Sequence, residues 1–177
     1  MKRAAGMTTR SVSWLAILAL LGSHCMAGPV HDLFGREILG IPWTASKADI
    51  DLALPGGRWA GQGALQTYSV ADGATIFRVA RTAKQNIRVA LNAEGKIDSV
   101  AIDFPNGSDT HLDLLENLTV YLGEPLPADT TVARDRAGRS NVSTIWEDSG
   151  LRVTLLHSIV TPTFTSNQVT IARIPAL

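Results

Sequence analysis

Residues 1–27 have the three-part pattern of a cleavable signal peptide, so we expect the folded protein to be the remainder of the chain. Basic residues precede an apolar run at 12–21, and the small residues Cys25 and Ala27 stand just before Gly28. A membrane-spanning helix needs roughly 20 apolar residues, about twice the length of this run. We therefore expect cleavage near Ala27, a mature chain without a membrane span, and a periplasmic or secreted location.

The single cysteine, Cys25, allows two interpretations. Cleavage after Ala27 removes it and leaves a mature chain with no thiol, so neither a disulfide nor thiolate chemistry is available. Alternatively, Cys25 carries the lipid of a bacterial lipoprotein, although the bulky His24 stands where such signals have a small residue. We expect cleavage near Ala27 and keep an envelope-assembly lipoprotein anchored at Cys25 as the alternative.

The signal peptide also determines the charge of the mature chain. The full sequence has 16 basic and 16 acidic residues, and removal of Lys2, Arg3 and Arg10 leaves a net charge of −3. A weakly acidic domain does not indicate nucleic acid or an anionic membrane surface as its partner.

After a predicted leader at 28–39, the pattern indicates a helix and four strands between 40 and 104. Ser46 can cap the helix by accepting a hydrogen bond from the backbone N–H of Asp49. The glycines after Pro55 end the helix. Alternation and β-branched residues then predict strands at 65–70, 75–80, 87–91 and 97–104.

The same order is predicted again between 109 and 174. Asp109 is expected to cap a second helix with a leucine stripe, and Gly123 is expected to end it. Strands are predicted at 131–133, 142–146, 151–156 and 168–174. The predicted class is α+β: two tandem helix-plus-four-strand units with antiparallel sheets, together forming one compact domain.

Local motifs of catalysis or metal binding are missing from the mature sequence. His31, His111 and His157 do not share metal-ligand spacing, and neither a nucleophile elbow nor a phosphate-binding loop is present. We predict solvated or satisfied surface histidines, and no catalytic residue, metal or cofactor. A hydrolase whose carboxylates converge only in the fold remains a second alternative.

Four residues are predicted to bind a partner protein: Trp59, Tyr68, Arg78 and Arg88. Trp59 lies in a predicted glycine-rich link, and Tyr68 and Arg78 lie on adjacent predicted strands. Tryptophan, tyrosine and arginine often dominate protein-binding surfaces. The alternative interpretation is that Trp59 covers the first helix and that the arginines, with Arg81 and Lys84, solvate a sheet edge.

Two stretches, LGIPWTASKADI at 39–50 and YLGEP at 121–125, resemble parts of small bacterial envelope proteins. These are the outer-membrane assembly lipoproteins of the SmpA/OmlA group and the similarly built β-lactamase inhibitory proteins. The resemblance to the inhibitors implies tandem helix-plus-four-strand units that bind another protein through a concave sheet. This chain departs from the inhibitors in its lack of a mature cysteine, and from the lipoproteins at His24. The function predicted is an exported protein-binding module: an inhibitor, immunity or accessory factor.

Overall fold

The computed structural model describes residues 28–62, 65–127, 133–134, 140–161 and 164–174. The predicted signal peptide with Cys25 lies outside them, as do residues 131–132 of one predicted strand. The elements are α1 (Pro29–Phe34), β1 (Glu37–Ile38), β2 (Ile41–Pro42), α2 (Lys47–Ala53), β3 (Arg58–Gln62), β4 (Leu65–Ala71), β5 (Asn86–Leu91), β6 (Ile97–Phe104), α3 (Ser108–Leu122), β7 (Ala133–Arg134), β8 (Ser140–Asp148), β9 (Leu151–Thr161) and β10 (Phe164–Arg173).

Eight of the strands form one sheet in the order β3-β4-β5-β6-β10-β9-β8-β7, and β1 and β2 form a small separate hairpin. The neighbouring strands in both sheets are paired antiparallel. The predicted α+β class with antiparallel sheets is confirmed. No helix among the described residues is both long and apolar enough to cross a bilayer.

Helix α2 begins as its sequence predicts. The Oγ of Ser46 accepts a hydrogen bond from the backbone N–H of Asp49 at 3.3 Å, and the Asp49 carboxylate accepts from the backbone N–H of Ser46 at 2.8 Å. This reciprocal capping box satisfies two backbone donors that the helix itself cannot pair. The hydrogen bond from the Ser46 backbone also lowers the pKa of Asp49, because it stabilises the ionised carboxylate.

Helix α3 begins and ends beside glycines with positive φ. Gly107 (φ 121°), rather than Asp109, is the N-cap, and Gly123 (φ 77°) ends the helix as predicted. Leu114, Leu118 and Leu122 recur every four residues and are buried, whereas Leu112, near the start of the helix, is 59% exposed.

Three of the four strands predicted before α3, at 65–70, 87–91 and 97–104, are found as β4, β5 and β6, and the strand predicted at 75–80 is not. The predicted strand at 75–80 is a turn closed by an isolated bridge, with Phe77 and Arg78 at positive φ. The fourth strand of this group is β3, which was not predicted and which forms in the segment predicted as a glycine-rich link. Gly61 (φ 93°) permits this pairing, because a Cβ there would lie 2.2 Å from the Leu65 carbonyl oxygen.

The predicted leader is part of the folded domain. Val30 and Phe34 of α1 and Ile38 of β1 are buried in the core. The carboxylate of Asp148 accepts hydrogen bonds from the backbone N–H groups of Val30 and His31, at 2.8 and 3.0 Å. A side chain of β8 therefore serves as the N-terminal cap that α1 does not obtain from its own N-cap glycine.

One face of the large sheet packs against the helices and forms the core. Alternate strand residues point to this covered face, as the period of two in a strand requires. Those that are buried across the central strands are Ile87, Val89, Val100, Ile102, Val153, Leu155, Val169 and Ile171. The core is a single apolar cluster whose strand residues run from Tyr68 of β4 to Trp146 of β8, with Trp59 of β3 packed against it.

Candidate functional site

The opposite side of the eight-stranded sheet is called the open face here. Its side chains alternate with the core residues and are half-buried or exposed, whereas the described helices contribute their buried residues to the core on the covered face. Register places on the central part of the open face Arg88, Ala90, Ser99, Ala101, Asp103, Thr154, Leu156, Gln168, Thr170 and Ala172. A surface spanning at least four strands is therefore left to solvent or to a partner.

Small side chains occupy most of this central area. Ala101 lies opposite Thr170 across the β6–β10 pair, and Ser99 lies opposite Ala172. Short side chains leave the strand backbone within reach of an approaching surface, and they lose little conformational entropy when they are covered. This part of the sheet can therefore be covered at low entropic cost.

A charged and polar group lies within this area and is called the central polar cluster: Arg88, Asp103, Gln168 and Thr170. The Nη2 of Arg88 donates to the Oδ1 of Asp103 at 2.6 Å, and the Nε2 of Gln168 donates to the same oxygen at 2.9 Å. The Oγ1 of Thr170 donates to the Oε1 of Gln168 at 3.2 Å. The Arg88 and Asp103 side chains are 40% and 25% exposed, so this ion pair is partly accessible from the open face. The cluster links β5, β6 and β10.

Next to the cluster is a pocket of about 380 Å³, called the polar pocket. Its polar lining includes Lys84, Gln85, Arg88, Asp103, Asn106 and Gln168. Small-molecule sites are mostly lined by apolar and aromatic side chains with a few polar groups. This lining has the opposite balance, which favours a charged or strongly polar group as its occupant.

Arg81 fixes the loop that forms one wall of the polar pocket. Its Nε donates to the backbone carbonyl of Asp103 at 2.8 Å, and its Nη1 donates to Asp72 at 3.1 Å. The Arg81 side chain is fully buried, and this burial lowers its pKa, although the carboxylates of Asp72 and Asp103 oppose the effect. Its Nη2 is buried without a hydrogen-bond partner among the described residues. From the sequence, Arg81 was predicted to lie at a solvated sheet edge. Its burial depends on the Asp72 carboxylate and the Asp103 carbonyl, and a local sequence pattern does not reveal these contacts.

Trp59 and Tyr68, two of the predicted binding residues, lie together on the covered side of the sheet. Their ring centroids are 5.0 Å apart, and the Nε1 of Trp59 donates to Asp51 of α2 at 3.1 Å. Tyr68 is 1% exposed, and its hydroxyl donates to the carbonyl of Leu54. These contacts tie α2 to β3 and β4.

Arg78 lies apart from the other three predicted residues. It is exposed in the turn after β4, at φ 62°, and its guanidinium lies 5.3 Å from the ring centroid of Tyr121 in α3. Among the four, Arg88 alone lies on the open face. The single surface expected from Tyr68 and Arg78 depended on a strand at 75–80, and this segment is a turn. The binding roles of Trp59, Tyr68 and Arg78 stay predictions.

Two of the histidines meet in the fold, although 46 positions separate them in the sequence. The rings of His111, in α3, and His157, in β9, are 4.6 Å apart between centroids. His157 is 5% exposed, so it is a buried histidine rather than the surface one predicted, and its Nδ1 lies 2.7 Å from the Oδ1 of Asn167. Because the Nδ2 of Asn167 donates to the carbonyls of Pro105 and Gly107, its Oδ1 accepts a hydrogen bond from the Nδ1–H group of His157.

The histidine pair shows the features of a structural group, with His157 buried and His111 half-buried. Burial, and then the neighbouring His157, lower the pKa of His111. Within the part of the chain that the structure describes, no group of three or more histidine, cysteine, aspartate or glutamate residues could hold a metal ion. No sequence signal could have identified this pair, since its members lie on different elements.

Comparison with known proteins identified no relative. No protein-family model matches the chain, and no match was found among curated proteins or solved structures.

Proposed function

We propose that the mature chain is an exported protein-binding module whose open face binds a folded partner protein in the bacterial envelope or outside the cell. The observation that carries this proposal is the open face itself. It is one side of an eight-stranded sheet with small side chains at its centre and a partly accessible ion pair among them.

The size of the open face supports a protein as the partner. Eight strands spaced about 4.8 Å apart give a sheet roughly 34 Å wide. The central strands contain 6 to 11 residues, which corresponds to lengths of roughly 20 Å or more at 3.4 Å per residue. The product approaches the roughly 800 Å² that each partner contributes to a standard protein interface.

The order of elements supports tandem units and the resemblance to the inhibitory proteins and assembly lipoproteins. A helix followed by four strands occurs as α2 with β3–β6 and again as α3 with β7–β10. In both groups successive strands are neighbours, and the last strands, β6 and β10, pair with each other. We propose that the domain consists of two such units, which build one binding sheet together.

The alternatives make different predictions about the N-terminus and the carboxylates. A lipoprotein would retain Cys25 with its lipid, whereas the module would begin at or within two residues of Gly28. The intact mass of the exported protein separates these outcomes. For a hydrolase, Asp49, Asp103 and Asp148 do not offer free carboxylates, because each accepts hydrogen bonds within the fold.

The proposed function is tested by blocking the open face. The purified mature protein is used to isolate a partner from an envelope extract, and the binding of the purified partner is then measured by calorimetry. Ala101→Arg places a long charged side chain at the centre of the open face, and we expect it to weaken binding at least about tenfold, since interface centres contain the dominant contacts.

The matched control is Leu112→Arg, at an exposed position of α3. It introduces the same side chain outside the sheet, and binding should equal that of the parent. Circular dichroism must show that both variants keep their fold. Equal binding by Ala101→Arg and the parent would assign the partner to another surface and reject this proposal.

A further inference from the structure

We infer that the polar pocket accepts a single carboxylate side chain, from aspartate or glutamate, presented by the partner of the open face. This inference rests on the proposed function, because the partner of that face must supply the carboxylate. The pocket lies beside the central polar cluster and shares Arg88, Asp103 and Gln168 with it.

The charge of the lining favours one negative charge. Lys84 and Arg88 contribute two positive charges and Asp103 contributes one negative charge, so the described lining has a net charge of +1. This local excess stands out in a mature chain of net charge −3. A carboxylate balances it, whereas a phosphate group, with a charge of about −1.5 to −2, would exceed it and face the Asp103 carboxylate.

Arg88 is oriented to bind a second carboxylate. The Oδ1 of Asp103 accepts from its Nη2 and also from the Nε2 of Gln168, so the Asp103 carboxylate is held in place beside Arg88. A guanidinium has five N–H donors in a planar fork, so the donors that do not face Asp103 remain for an incoming acceptor. Charge-assisted hydrogen bonds of this kind are about twice as strong as neutral ones.

Lys84 and Gln85 belong to a loop that hydrogen bonds within the protein hold beside the pocket before any ligand binds. Arg81 fastens their loop to Asp72 and to the end of β6. The Oε1 of Gln85 accepts from both the backbone N–H and the Oγ1 of Thr82, each at 2.7 Å. Because the loop is already ordered, the binding of a carboxylate there carries no entropic cost for ordering the loop.

The inference is tested with two short peptides that differ in charge alone, acetyl-Gly-Glu-Gly-amide and acetyl-Gly-Gln-Gly-amide. Each is titrated into the mature protein, and nuclear magnetic resonance follows the backbone amides of Lys84 and Gln85 and the Nε–Hε group of Arg88. We expect the glutamate peptide to shift these signals with a dissociation constant on the order of 10 mM, typical of one anchoring contact. The glutamine peptide should bind at least about tenfold more weakly, since it lacks the charge.

Arg88→Gln and Lys84→Gln should each reduce the affinity for the glutamate peptide severalfold. Lys84 is exposed, so its replacement tests the pocket even if Arg88→Gln perturbs the fold. Arg152→Gln is the matched control, because Arg152 lies on the same side of the sheet but outside the pocket, paired with Glu147 at 2.7 Å. It should bind the glutamate peptide as the parent does.

Equal shifts from the two peptides, no saturable shift, or unchanged affinity in the Lys84 and Arg88 variants would each overturn the inference. Tighter binding of inorganic phosphate than of the glutamate peptide would also overturn it. These outcomes are separate from the test of the open face. A partner sensitive to Ala101→Arg, together with a pocket indifferent to charge, would reject the carboxylate site and leave the proposed function standing. If the pocket prefers the glutamate peptide but Ala101→Arg does not weaken partner binding, the proposed function is rejected instead.

Discussion

Protonation of His111, which lies beside His157, is expected to destabilise the folded state. The ring of His157 is buried and that of His111 is half-buried beside it, and the Nδ1 of His111 is buried without a hydrogen-bond partner among the described residues. A proton on His111 would place a positive charge in a poorly solvated site, near the positive end of the α3 dipole and beside a second imidazole. The unfolded chain meets none of these penalties.

We expect the free energy of unfolding to decrease as the pH falls through the ordinary histidine pKa of 6.5. The pKa of His111 is lowered in the folded state, so between the two values the unfolded state binds the proton and the folded state does not. Stability is therefore complete above 6.5 and declines below it, until the pH reaches the folded pKa. Urea unfolding at about pH 7.5 and about pH 5.5 measures the difference.

His111→Leu should reduce this pH dependence, because it removes the group whose pKa is lowered. His31→Gln is the control, since His31 lies on α1, away from the pair, and should leave the dependence unchanged. A His111→Leu variant with the same pH dependence as the parent would show that another group is responsible.

For Trp59, a role in packing and a role in partner binding predict different effects of its replacement by alanine. Its ring packs on Tyr68 and its Nε1 donates to Asp51, so its removal exposes part of the contact between α2 and the sheet. We expect Trp59→Ala to lower the free energy of unfolding by about 2 kcal/mol, less than the 3–5 kcal/mol of a fully buried tryptophan. Arg58→Ala, at the exposed neighbouring position, should have little effect. An unchanged urea midpoint together with lost partner binding would instead make Trp59 a binding residue, as its sequence context predicts.

At the scale of elements, α1 depends on a side chain from a distant strand. Asp148→Ala removes the acceptor of two backbone N–H groups of α1, and we expect a loss of about 1–2 kcal/mol, the usual cost of losing an N-cap. Glu147→Ala is the neighbouring control, because Glu147 forms an exposed ion pair with Arg152, and such pairs contribute about 0–1 kcal/mol. Chemical denaturation of both variants measures the difference. Equal losses would mean that α1 does not need this cap.

Elements with a complete local signal could be predicted from the sequence. β6 is predicted with its observed bounds, and α2 with its cap at Ser46, because alternation and capping operate within a few residues. β3 was missed, since its glycines resemble a link and its pairing with β4 decides its structure.

The candidate site was less predictable than the fold. Arg88 was predicted from the sequence, but its partners were not. Arg88 and Gln168 both donate to Asp103, and these three residues lie on three different strands. Residues such as Gln168 and Asn106 have no local pattern that separates them from other polar residues. Only the strand order brings them to one pocket.

At the scale of the whole molecule, one core continues across the sheet, and we expect one unfolding transition. Trp59 in β3 and Trp146 in β8 lie near opposite ends of the sheet, so they report on distant parts of the domain. In protein labelled with 5-fluorotryptophan, fluorine resonances of both residues should show the same urea midpoint, as two-state unfolding requires. Distinct midpoints would show that the two strand groups are independently stable.

The pairing of β6 with β10 has a consequence for the order of folding. The other neighbouring strands of the large sheet are successive in the chain, whereas Asp103 and its partner Gln168 are 65 positions apart. Contacts between distant parts of a chain form slowly, because a long loop must close first. Until this pair closes, the edges of β6 and β10 are open to pairing with other chains, which is how exposed strand edges lead to aggregation. The step that protects these edges also brings Arg88 and Asp103 beside Gln168, so a chain caught before it would be prone to aggregate and unable to bind.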